Sequence, residues 1–102
     1  MQALRQAIAF ARSGQSGPGE DELARRIASA PEDLGSRLQL ASLHAGHGRY
    51  REAMDELLEI IRRQKDFQDG AARKQMLAIF NLAAGEADLV SEYRRKLASA
   101  LN

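Results

Sequence analysis

Residues 48–63 read GRYREAMDELLEIIRR, and the fold is decided there. Gly48 permits a tight turn, because a residue without Cβ reaches backbone angles that others avoid. Tyr50 can pack over that turn, and Ala53 is small enough to let two helix backbones approach closely. Behind Ala53, the apolar residues Met54, Leu57, Leu58 and Ile61 recur at intervals of three and four. That is the period of a helix with one buried face, not the alternation of a strand. Upstream, Leu38, Leu40, Ala41 and Leu43 mark an earlier helical run that ends at Gly46 and Gly48. The segment therefore reads helix, turn, helix.

The same wording recurs at an offset of 34 residues: Gly14 falls on Gly48, Leu23 on Leu57, Ile27 on Ile61, Ala7 on Ala41 and Leu4 on Leu38. A third copy needs an offset of 37, which sets Leu77-Ala78 on Leu40-Ala41 and Gly85 on Gly48, but places Arg94 where the second unit has Leu57. Helix–turn–helix units at a period of 34 resemble tetratricopeptide repeats, in which about three stacked hairpins are needed to bury a continuous core. The expectation is an all-α, right-handed stack of about three hairpins in a single domain over 1–102, divided at 1–31, 32–68 and 69–102.

Six helices are expected, near 2–13, 18–29, 33–46, 50–64, 70–84 and 88–101. Pro18 suits a first helical position, where its missing N–H costs nothing, and Glu20, Asp21 and Glu22 then oppose the positive helix end. Pro31 stands where a repeat should end, and Asp69 and Asp88 are candidate N-caps. Glu22 with Arg26, Glu59 with Arg63 and Glu92 with Lys96 are spaced for ion pairs along solvated helix faces.

Composition narrows the function classes. With 15 basic and 14 acidic residues the net charge is +1, which disfavours a protein devoted to gripping nucleic acid or an acidic membrane. Basic doublets at Arg25-Arg26, Arg62-Arg63 and Arg73-Lys74 are interleaved with acids, and Phe10, Tyr50, Phe67, Phe80 and Tyr93 fit packing positions rather than base-stacking ones. Cysteine is absent, so the chain holds no thiolate metal site and no dithiol redox centre. No apolar run approaches the length of a membrane span, and MQALRQAIAFARSG lacks the features of a secretory signal, so a cytoplasmic domain is expected. Tryptophan is missing and aromatics are 5%, so the core must come from Leu, Ile and Ala in closely packed helices.

PEDLGSRLQLA, GRYREAMDELLEIIRR, DGAARKQMLAIFNL and the closing LVSEYRRKLASAL resemble the C-terminal region of bacterial thioredoxin-like proteins with tetratricopeptide tails, the co-chaperedoxins. The likeness covers about residues 20–102 and is most specific in the third segment and the tail; residues 1–19 match only in helical character. It implies that this chain is an excised C-terminal portion whose parent carries a thioredoxin-fold domain. It further implies a role in protecting unfolding clients and passing them to the chaperone machinery. Any redox activity would belong to the thioredoxin domain.

Candidate chemistry is sparse. His44 and His47 are three apart and could share a metal, but a site needs three or four ligands and the nearest carboxylates fall in the next helix; His44 also occupies a packing slot of the repeat. GQSGPG at 14–19 follows a helix, as a turn does, whereas a phosphate loop follows a strand. No cofactor is expected. A repeat stack recognises peptides on its concave face, here near Leu4, Arg5, Ile8, Arg12, Leu38, Gln39, Ser42, Met76 and Ile79. Leu4, Ile8, Gln39, Ala72 and Met76 replace the Lys and Asn with which many repeats clamp a C-terminal carboxylate. An apolar groove with a methionine would suit hydrophobic segments; the same residues could instead pack between hairpins or against an absent domain. In the closing helix, Leu89, Tyr93, Leu97 and Leu101 form an inward stripe that turns Arg94, Arg95 and Lys96 outward, where the resemblance places a chaperonin contact. The reading is a non-catalytic protein-interaction module. A generic assembly scaffold is the alternative, and an enzyme fragment is disfavoured because no nucleophile, metal or cofactor constellation is visible.

Overall fold

The structure is a computed structural model and describes residues 19–102. Among them are five helices and no strand: α1 Glu20–Ser29, α2 Leu34–Gly46, α3 Tyr50–Arg63, α4 Ala71–Leu82 and α5 Ala87–Leu101. They coincide with the last five of the six expected helices. The expected helix near 2–13, with Leu4, Arg5, Ile8 and Arg12, lies outside the described residues, as does Pro18.

The turn that anchored the sequence reading closes as the glycine requires. Gly48 is left-handed, with φ 76°. Its N–H donates to Ala45 O at 3.1 Å, and the N–H of Arg49 reaches back to His44 O at 2.8 Å. These two bonds satisfy the last carbonyls of α2 and reverse the chain within three residues. The start of α2 has the side-chain cap that the reading missed: Asp33 Oδ1 accepts from Ser36 N at 3.1 Å, and Oδ2 accepts from Ser36 Oγ at 2.7 Å. Those bonds hold the Asp33 carboxyl below the usual carboxylate range.

The expected caps Asp69 and Asp88 do not cap. Gln68, Asp69 and Gly70 are all left-handed, with φ of 49°, 59° and 75°. The chain is still turning at Asp69, so α4 begins one residue later, from Gly70 and without a side-chain cap. α5 likewise starts from Glu86, which leaves Asp88 inside the first turn. There its charge complements the positive helix end.

The apolar period of the chain places α3 at the centre, with α2, α4 and α5 packed around it. Ala53, Met54, Leu57, Leu58, Ile60 and Ile61 of α3 are buried, as are Ala41 and Ala45 of α2. Leu23 of α1 joins Leu40 and Leu43 of α2 in a second cluster, with Ile27 half-buried beside it. Polar ties reinforce the pairing: Arg37 of α2 meets Glu56 of α3 at 3.0 Å, and Arg49 in the turn meets Glu20 at the head of α1 at 2.6 Å. The latter contact lowers the Glu20 pKa. The three helix-face pairs expected from spacing also form, Glu22–Arg26 at 3.4 Å, Glu59–Arg63 at 2.6 Å and Glu92–Lys96 at 3.0 Å. Such exposed pairs are worth only about 0.3–0.5 kcal/mol each, so the apolar stripe decides the packing.

Candidate protein-interaction surfaces

Of the expected concave-face residues, Leu4, Arg5, Ile8 and Arg12 lie outside the described residues, and the described ones do not line an open apolar groove. Met76 and Ile79 are 0% exposed, packed in the core by which α4 lies on α3. The reason is periodicity: Ala72, Met76 and Ile79 fall on one stripe of α4, continued by Ala83 just past its end, and that stripe is consumed by packing. Ser42 is also buried, and its hydroxyl donates to Gln75 Oε1 at 3.4 Å, linking α2 to α4. Leu38 is half-buried against the core, and of the concave-face residues among those described Gln39 alone is exposed.

The two histidines diverge. His44 is buried, as suits the packing slot, and its Nδ1 has no hydrogen-bond partner among the described residues. His47 is exposed, and its Nδ1 lies 3.0 Å from the guanidinium of Arg49. Among the described residues no group of three or more His, Asp or Glu side chains is arranged to hold a metal ion, and no helix is long and apolar enough to cross a membrane.

The closing helix is fastened by Tyr93. Its ring is 1% exposed, and its hydroxyl donates to Asp55 Oδ1 on α3 at 2.7 Å. Arg51 of α3 donates to the same hydroxyl at 3.2 Å and grips Glu92 with two nitrogens, at 3.1 and 3.2 Å. The guanidinium of Arg51 lies 5.3 Å from the Tyr93 ring centroid and the ammonium of Lys96 4.5 Å from it, so the ring faces two cations. Lys96 pairs with Glu92 and lies over Tyr93 while its side chain stays 42% exposed. Arg94 and Arg95 are exposed.

This cluster makes stability depend on pH at both ends. The hydrogen bond from Arg51, joined by that from Lys96, holds the Glu92 carboxyl at about 2, down from 4.5. A lowered carboxylate pKa contributes stability that is present above about pH 4.5 and lost as pH falls toward 2. Burial, with the Asp55 hydrogen bond, pushes the Tyr93 phenol up to about 12, so its contribution holds below pH 10 and is lost as pH rises through 12. The thermal midpoint of the Glu92→Gln variant, followed by circular dichroism, should fall less than that of the native chain between pH 5 and pH 2.5. An equal fall in both would remove Glu92 from the account of acid sensitivity.

An apolar groove does exist, between the last two helices. α5 lies along α3, and where it diverges from α4 a cleft of about 400 Å³ opens, lined by Leu77, Phe80, Asn81, Arg94, Leu97, Ala98 and Leu101. Leu77 is 42% exposed, the large apolar side chain most open to solvent among the described residues. The Arg94 guanidinium lies 5.5 Å from the Phe80 ring centroid. The sequence held a signal for this cleft: Leu77 follows Met76 directly, so it sits about 100° around the helix from the packed stripe.

Helical hairpins packed on a shared central helix define a helical-repeat scaffold. More particularly, the chain belongs to the tetratricopeptide repeat family, whose model matches residues 14–102. No curated protein and no solved structure matches it. Tetratricopeptide repeats mediate protein–protein contacts and are in general non-catalytic.

Proposed function

We propose that the chain is the C-terminal helical tail of a cytoplasmic, thioredoxin-like co-chaperone, a non-catalytic module that contacts unfolding clients and the chaperonin. In this reading the three hairpins span 1–31, 32–68 and 69–102 in a right-handed stack. The observation that carries the binding role is the repeat itself, matched over residues 14–102. The finer assignment draws on the likeness of DGAARKQMLAIFNL and LVSEYRRKLASAL to co-chaperedoxin tails. Arg94 and Arg95 are the contact residues of choice, because both are exposed on the closing helix and neither makes an ion pair among the described residues.

Surface-plasmon binding of the chain to immobilised chaperonin tests this. The native chain should be captured, and Arg94→Glu with Arg95→Glu should slow association while leaving helicity intact, since peripheral charges act mainly on encounter rates. Absence of capture would remove the co-chaperone assignment and leave a general assembly scaffold.

A further inference from the structure

We propose that the cleft between α4 and α5 is a docking site for an amphipathic helix of a partner protein, one whose apolar face is flanked by carboxylates. The inference rests on the protein-interaction reading above and names the chemistry of the partner.

Shape and polarity come first. A volume of about 400 Å³ lies in the range of clefts that seat several side chains. Leu77 is exposed at its wall, and the floor is the outer side of Phe80, Leu97 and Leu101, which also pack into or against the core. An apolar cleft between two helices accepts the apolar face of a third helix through residues at i, i+3, i+4 and i+7. The exposed Leu77 then gains the burial that the described fold does not give it.

Charge identifies the occupant. The cleft lining holds no Asp or Glu, and its one charged member is Arg94. Most basic residues elsewhere are paired: Arg25 and Arg26 with Glu22, Arg37 with Glu56, Arg49 with Glu20, Arg51 with Glu92, Arg63 with Glu59. Six basic residues make no ion pair among the described residues, Arg62, Lys65, Arg73, Lys74, Arg94 and Arg95, and the last four belong to the two helices that form the cleft. Arg73 precedes Leu77 by one helical turn, so it extends the same face of α4 beyond the apolar floor. α4 carries no acidic residue; on α5, Asp88 stands in the first turn outside the cleft lining, and Glu92 is held by Arg51 and Lys96 on the α3-facing side. An apolar channel with arginines at its margin and no carboxylate complements a helix bearing acidic flanks and repels one bearing basic flanks.

The test uses the whole chain and two labelled helical peptides with identical leucines at i, i+3, i+4 and i+7. One carries Glu at the flanking positions and the other Lys. Fluorescence anisotropy should show saturable binding of the Glu peptide, weakening as salt is raised, and binding of the Lys peptide at least about tenfold weaker. Leu77→Glu, at a position already exposed, should abolish binding with the thermal midpoint unchanged. Arg94→Glu should reverse the preference toward the Lys peptide, a result that unfolding cannot produce. Equal affinity for the two peptides, binding unaffected by Leu77→Glu, or no binding of either would overturn the proposal. So would Leu77-dependent self-association of the chain, which would assign the cleft to a second copy. Failure here with chaperonin capture intact would leave the interaction module standing and refute the cleft alone.

Discussion

Replacing Tyr93 by Ala should destabilise the chain by about 3–5 kcal/mol, the cost of emptying a buried aromatic site in a core that cannot fully collapse. The ring is 1% exposed and, with Leu97, forms the buried face by which α5 lies on α3. Its loss removes the apolar contact and the group that Asp55 and Arg51 share. Two charged side chains do not replace it, because Arg51 and Glu92 stand at the surface, where ion pairs add little. Tyr93→Phe keeps the ring and deletes only the hydroxyl, so it should cost about 0.5–1.5 kcal/mol. Urea unfolding orders the three proteins, and hydrogen exchange should show amides of 87–101 losing protection first in the Ala variant. A Tyr93→Ala midpoint equal to the native one would mean that α5 is not held by this residue. The cleft between α4 and α5 would then lack a fixed wall.

The sequence made the helices legible and left the terminal surface obscure, for a common physical reason. Residues at three and four spacing report which elements form, since a helix must bury one face. They do not report which neighbour each part of that face meets. In α5 the stripe Leu89, Tyr93, Leu97 and Leu101 is spaced by four throughout, and each step of four advances about 40° beyond a full turn. Over three steps the stripe winds from the α3 contact toward the cleft, so Leu101 lines the cleft while Tyr93 is sealed in the core. Read as one inward face, it concealed the cleft. Met76 and Ile79 show the converse. Their repeat register pointed to a binding face, but the stripe they share with Ala72 was already required by α3. Lys96 keeps an exposed side chain, yet its ion pair with Glu92, legible at i,i+4, also carries its ammonium over Tyr93, a contact that no local spacing encodes. Asp69 failed as a cap because three successive left-handed residues cannot be read from composition alone.

Ala53→Leu should destabilise the chain by about 1–3 kcal/mol, because added methylenes in a filled crossing force side chains off their rotamers or move backbone. Ala53 is 0% exposed in a cluster with Ala41, also 0% exposed, and Ala45. α3 follows α2 through the tight turn at Gly48, so the two helices cannot separate at that end without breaking the bonds from Gly48 to Ala45 and from Arg49 to His44. The strain must instead appear further along the pair, where Arg37 meets Glu56. Ala24→Leu is the matched control: an exposed helical alanine given the same side chain, with a change expected within about 0.5 kcal/mol. Thermal and urea midpoints of the two variants should therefore separate clearly. Equal midpoints would mean that Ala53 faces no close crossing, and the register that sets Gly48, Tyr50 and Ala53 as the head of a repeat's second helix would have to be abandoned.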